Sequence, residues 1–169
     1  MPYSIPVRPT LYDGHLFRSV NEARFAVFLN ALGVEYQYEP RLYEFPLTAE
    51  SPLHPTHPSG TLKYLPDFVA LGLFFELKPK APTRIEQVKA WLLAEQTGQP
   101  VYVVWWARTW RTMLFHAGEV ELGWAFRKCT VCGLIGLRDN CPCGLMTTKH
   151  PGMVQARLEA KNRVFRNKT

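Results

Sequence analysis

The chain has 169 residues, 47% of them apolar, a net charge of +6 and a pI near 9.3, which is enough for one sizeable core plus a small appendage. No apolar run approaches the ~18 residues of a membrane span, and the opening Met1-Pro2-Tyr3-Ser4-Ile5-Pro6 lacks the apolar stretch of a signal peptide, so a cytoplasmic protein without a membrane partner is expected. The basic balance suits a polyanionic partner. It is unevenly placed: residues 1–126 carry eleven Lys/Arg against twelve acids, a balance of −1, whereas 127–169 carry nine against two, a balance of +7.

In chain order, residues 1–18 read as an irregular, proline-containing lead. A helix is predicted over 19–32, with Phe25, Phe28, Leu29 and Leu32 on its apolar face and Gly33 as its stop. A strand follows at 34–39. The stretch 46–61, with Pro46, Pro52, Pro55 and Pro58, cannot sustain a helix or a central strand and reads as a surface loop; its His54 and His57 are assigned no role. A hairpin is expected over 62–79, then a helix at about 83–97 ended by Gly98, and the fully apolar strand Val101 to Trp106. Trp105 and Trp106 read as a strand packed on both faces. Trp110, between Arg108 and Arg111, is the better candidate for base stacking. In the tail, Val154, Leu158 and Phe165 recur at near-helical spacing among Arg157, Lys161 and Arg163, as in a basic helix that docks on the core or on phosphates.

The hairpin holds the most informative pattern. Tyr64-Leu65-Pro66-Asp67-Phe68-Val69 and Phe74-Phe75-Glu76-Leu77-Lys78 place three charges inside apolar, strand-like runs. Burying such charges costs several kcal/mol unless they are paired or bind a metal. Strand side chains alternate, so Glu76 and Lys78 share a face while Leu77 points the other way. Pairing of the two runs brings Asp67 toward Glu76. Two carboxylates suit Mg²⁺, and an ammonium beside them suits a phosphate or an attacking water.

At these residues the chain resembles the PD-(D/E)xK, or restriction-endonuclease-like, nuclease superfamily. Pro66-Asp67 matches its first element and Glu76-Leu77-Lys78 its second. The resemblance covers roughly residues 17 to 106. It implies an α/β fold with a central mixed sheet flanked by helices over residues 1–126, and Mg²⁺ or Mn²⁺ held by Asp67, Glu76 and the Leu77 carbonyl. It further implies an acid on the first helix, matched by Glu22, and a polar residue on the helix after the lysine, matched by Gln87. Ser19 and Glu22 also form a helix-capping box, so capping and metal binding both stand open for Glu22.

The sequences Cys129-Thr130-Val131-Cys132-Gly133 and Cys141-Pro142-Cys143-Gly144 have the turn spacing of a structural Zn²⁺ site. The second turn is one residue short of the usual knuckle, which leaves Cys143 and His150 both open as fourth ligand. Disulfides and an iron–sulfur cluster are the minority alternatives. Residues 127–169 thus read as a basic, zinc-ribbon-like module. The expected activity is that of a metal-dependent DNA endonuclease, with a homodimer as a further candidate association. A branched-DNA (Holliday-junction) resolvase or recombination nuclease of the same fold is the enzymatic alternative. A non-catalytic zinc-containing nucleic-acid-binding protein is the other.

Overall fold

The computed structural model describes residues 8–47, 60–106, 110–116, 118–123, 125–137, 141–143 and 145–165. The histidines of the proline-rich loop, His54 and His57, and Arg108 beside Trp110, lie outside the described residues. The chain is α/β and divides into two compact units, residues 36–125 and residues 1–35 together with 126–169.

The unit of residues 36–125 is organised by one six-stranded mixed sheet. Its strands are β3 (Tyr36–Tyr38), β6 (Phe68–Ala70), β7 (Leu73–Lys78), β8 (Val101–Trp106), β9 (Trp110–His116) and β10 (Glu119–Leu122). They lie in the order β10-β9-β8-β7-β6-β3. Only β7 and β8 run parallel, because they alone are joined by a crossover helix, α2 (Arg84–Thr97). Thr83 caps that helix in a capping box with Glu86, and Gly98 ends it at φ 65°. A separate hairpin pairs β4 (Tyr43–Pro46) with β5 (Thr61–Tyr64). On one face of the sheet Phe74, Val101, Val103 and Phe115 pack with Ala90, Leu93 and Ala94 of α2 and with Tyr43, Phe45, Leu62 and Tyr64 of that hairpin. Sheet residues Phe68, Phe75, Tyr102 and Leu114 are also buried, with the Phe75 and Tyr102 rings stacked 5.5 Å apart.

The other unit joins both ends of the sequence. A short hairpin, β1 (Thr10–Tyr12) with β2 (His15–Phe17), precedes α1 (Val20–Leu32). Strands β11 (Arg127–Cys129), β12 (Ile135–Gly136) and β13 (Met146–Thr147) form a three-stranded sheet, followed by α3 (Pro151–Asn162), which packs on α1. Phe126 sets its ring against Phe25 and Phe28.

Several expectations are corrected. The described part of the lead, residues 8–18, is not irregular: Asp13 (φ 51°) and Gly14 (φ 76°) make the tight turn of the β1–β2 hairpin. Residues 62–79 are not one hairpin, since β5 pairs back with β4 and the true hairpin is β6–β7, closed by Leu71 (φ 54°) and Gly72 (φ 70°). In α3 the buried positions are Met153, Ala156 and Ala160, while Val154 and Leu158 are exposed. Alanines let the helix approach its neighbour closely, which the larger side chains would prevent.

Candidate active site and four-cysteine centre

The β6–β7 register pairs Phe68 with Phe75, so Asp67, one residue before β6, falls opposite Glu76. Pro66 has no N–H to continue the ladder, and the chain joins β6 only at Phe68. The β6–β7 ladder ends at the Phe68–Phe75 pair, so no β6 carbonyl accepts from the Leu77 N–H. Asp67 supplies the acceptor: its Oδ2 accepts from the Leu77 N–H at 2.7 Å, in a buried position. The Asp67 backbone is fixed as well, its carbonyl accepting from the N–H of Glu39 at 2.8 Å. Thus the aspartate is held by one neighbour strand through its side chain and by the other edge through its main chain.

Glu76 and Lys78 do share a face of β7. Lys78 Nζ lies 2.6 Å from Glu76 Oε1 and 3.5 Å from Glu86 Oε1. Glu76 is 6% exposed and Asp67 3% exposed. The second carboxylate oxygen of Glu76, Oε2, is buried without a hydrogen-bond partner, a state that costs about 1–3 kcal/mol. Burial works against the Lys78 ammonium, but Glu76, Asp67 and Glu86 outweigh it and raise the lysine above its ordinary range. Burial pushes the Tyr64 phenol well above its ordinary range, and Glu76, through its charge and a side-chain hydrogen bond, pushes the same way together with Asp67 and Glu86. It therefore stays an O–H group facing carboxylates. Partial burial pushes Glu86 up; hydrogen bonds from the Thr83 backbone and hydroxyl, together with Lys78, win and hold it below the usual carboxylate range.

Asp67, Glu76 and Lys78 are thus brought together, and the Leu77 backbone reaches Asp67 through its N–H. Gln87 turns back on its own helix start, its amide donating to the Pro82 carbonyl at 3.0 Å. Glu22 belongs to the other unit. There its Oε1 accepts from the Ser19 hydroxyl at 2.7 Å and its Oε2 from the Arg18 N–H at 3.1 Å, while Ser19 Oγ accepts from the Glu22 N–H. Both oxygens therefore serve the N-terminus of α1. Two residues of the cluster have no assignment from the sequence. Tyr64 stands at the head of the aspartate tract. Glu86 stands third after Thr83 in a capping-box spacing, a pattern that signals a helix start and says nothing of a lysine.

In the other unit the four Sγ atoms of Cys129, Cys132, Cys141 and Cys143 all lie within 4.8 Å of one another. Zn–S bonds of ~2.3 Å in a tetrahedron separate sulfurs by about 3.8 Å, so the four can hold one ion such as Zn²⁺. All four are free thiols. Backbone N–H groups of Cys132 and Val131 point at the Cys129 sulfur and lower its pKa to about 6. Cys143 rather than His150 completes the set, since His150 Nδ1 accepts from the Gly152 N–H at 3.1 Å as the cap of α3. Among the described residues no helix is long and apolar enough to cross a membrane.

Comparison with protein-family models, with curated proteins and with solved structures returns no match.

Proposed function

We propose that this chain is a metal-dependent nuclease acting on DNA, with the β6–β7 hairpin as its catalytic element and the four-cysteine module as a basic, zinc-stabilised contact surface. One observation carries the reading: buried Glu76 meets Lys78 at 2.6 Å, with buried Asp67 close enough to act on that lysine electrostatically, and one buried oxygen, Glu76 Oε2, has no hydrogen-bond partner. A buried carboxylate oxygen left in that state fits a site built for a cation, and an all-oxygen donor set suits Mg²⁺ or Mn²⁺.

Asp67 and Glu76 would hold the ion, with the Leu77 carbonyl as a further oxygen donor. When bound, Mg²⁺ supplies Lewis-acid stabilisation of charge on a phosphate. Lys78, kept protonated by its three carboxylate neighbours, acts as a cation: it orients the attacking water by hydrogen bonding or stabilises the charge that develops on the phosphate oxygens. The Leu77 N–H fixes Asp67, which keeps the carboxylate from rotating as the substrate enters.

A second reading, a non-catalytic zinc-containing nucleic-acid-binding protein, is favoured by the 2.6 Å Lys78–Glu76 contact, which already neutralises one carboxylate. Incubating the protein with closed circular DNA while titrating Mg²⁺ separates the two. Nicking or linearisation that requires Mg²⁺ and falls at least ~100-fold in Lys78→Ala is expected. DNA binding without cleavage at any Mg²⁺ or Mn²⁺ concentration would establish the second reading. Including four-way-junction DNA in the panel tests for a resolvase.

A further inference from the structure

Glu86 sits one helix start away from the hairpin, yet it faces the same lysine. One of its oxygens, Oε2, is fixed by the Thr83 N–H at 2.7 Å and the Thr83 hydroxyl at 2.8 Å. Its other oxygen, Oε1, lies 3.5 Å from Lys78 Nζ. The ammonium therefore stands between two carboxylates of different kinds. Glu76 is buried, carries a partnerless oxygen and is the candidate metal ligand. Glu86 is about one-third exposed and is locked in orientation by its own helix cap.

A cation entering at Glu76 competes with Lys78 for that carboxylate, because two positive charges cannot share it at short range without strong repulsion. The lysine then needs a second acceptor within reach of a small rotation. We propose that Glu86 is a positioning residue: it receives the Lys78 ammonium when a divalent cation occupies Glu76, which holds the lysine beside the site instead of on the metal ligand. This inference rests on the metal-site reading above and assigns that site a part that neither sequence motif contains.

The test is a double-mutant cycle read by calorimetric titration with Mn²⁺ alone, on the full chain expressed with Zn²⁺. Glu86→Gln keeps an amide oxygen for the Thr83 N–H, since Gln also completes a capping box, and replaces the charged oxygen facing Lys78 with an uncharged NH₂ group. The melting temperature should stay within about 2 °C of the unmodified protein. The Mn²⁺ dissociation constant should rise about fivefold, the upper end for a partly exposed ion pair. In a Lys78→Ala background the same Glu86→Gln change should alter it less than twofold, as expected when one residue acts through the other. Equal weakening in both backgrounds would show that Glu86 acts on the ion directly, and unchanged affinity in the single variant would show that it has no part; either overturns the proposal while leaving the metal site standing. Absence of Mn²⁺ binding by the unmodified chain would take down the metal-site reading and this inference with it.

Discussion

Asp67 and Leu77 are joined by a hydrogen bond that the sheet itself does not make. The Asp67 carboxylate accepts from the Leu77 N–H at 2.7 Å where β6 has not yet begun. The aspartate is therefore both a strand substitute and a candidate ligand. Asp67→Ala should cost about 1–3 kcal/mol by orphaning a buried N–H, and Asp67→Asn, which keeps an acceptor, should cost less. Mg²⁺-dependent cleavage should fall at least ~100-fold in both. Urea unfolding beside a cleavage assay separates the roles, and full cleavage by Asp67→Asn would remove the residue from the site.

Glu22 accepts two hydrogen bonds at the start of α1. A glutamine there can accept only one of them well, so Glu22→Gln should lower stability by about 1 kcal/mol, within the usual range for a missing cap. Cleavage per folded molecule, measured well below the melting temperature, should not change. A ~100-fold drop in that measurement would instead make Glu22 a metal ligand.

Leu71 adopts φ 54° with its side chain 45% exposed. A leucine in this conformation stores of order 1 kcal/mol of strain, and Asn is the preferred residue ahead of Gly in such a turn. Leu71→Asn should raise stability by about 1 kcal/mol, read as a higher urea midpoint at constant slope. A lower midpoint would mean that the leucine side chain packs more productively than its exposure implies.

The four cysteine sulfurs predict one tightly held Zn²⁺ per chain. Native mass spectrometry should show its loss in Cys143→Ala and its retention in His150→Ala, which should cost only the cap of α3, about 0.5–2 kcal/mol. The reverse pattern would place His150 in the coordination sphere.

Arg157 looks, by composition, like part of a phosphate-binding tail. Its guanidinium instead donates to the Thr148 carbonyl at 2.9 Å and the Phe126 carbonyl at 3.3 Å, and burial lowers its pKa. Arg157→Gln should destabilise the protein and leave the salt dependence of DNA binding unchanged. Lys149→Gln or Lys161→Gln should flatten the log–log salt slope by about 0.9 for each phosphate that is no longer neutralised. A slope unchanged by the lysine variants would turn attention to a protein partner for this surface.

Long periodic elements are legible in the sequence. The capping residue Ser19 and the stops Gly33 and Gly98 fall where the pattern places them, because caps act within one turn of chain. The β6–β7 turn and the Glu76–Lys78 face follow from period-two alternation. The pairing of β5 with β4 does not follow, since partner choice depends on packing across a sheet face and not on local spacing. The Asp13-Gly14 turn is a readable signal, masked by the prolines that surround it in the lead. Glu86 is hidden for another reason: its meeting with Lys78 depends on how a crossover helix returns over its strand.

The packing of α3 on α1 has a consequence for how the chain is made. The helix ending at residue 32 leaves the ribosome long before the one beginning at residue 151. In between emerges 36–125, a continuous segment with its own sheet and core. Synthesis from the N-terminus therefore favours that middle segment as the first to fold, while the apolar side of α1 that α3 will cover waits for the final stretch of translation and for the cysteines that precede it. Chains stalled before residue 151 should resist protease across the middle segment and be cut within α1, whereas cleavage spread evenly along both would indicate that neither folds until release.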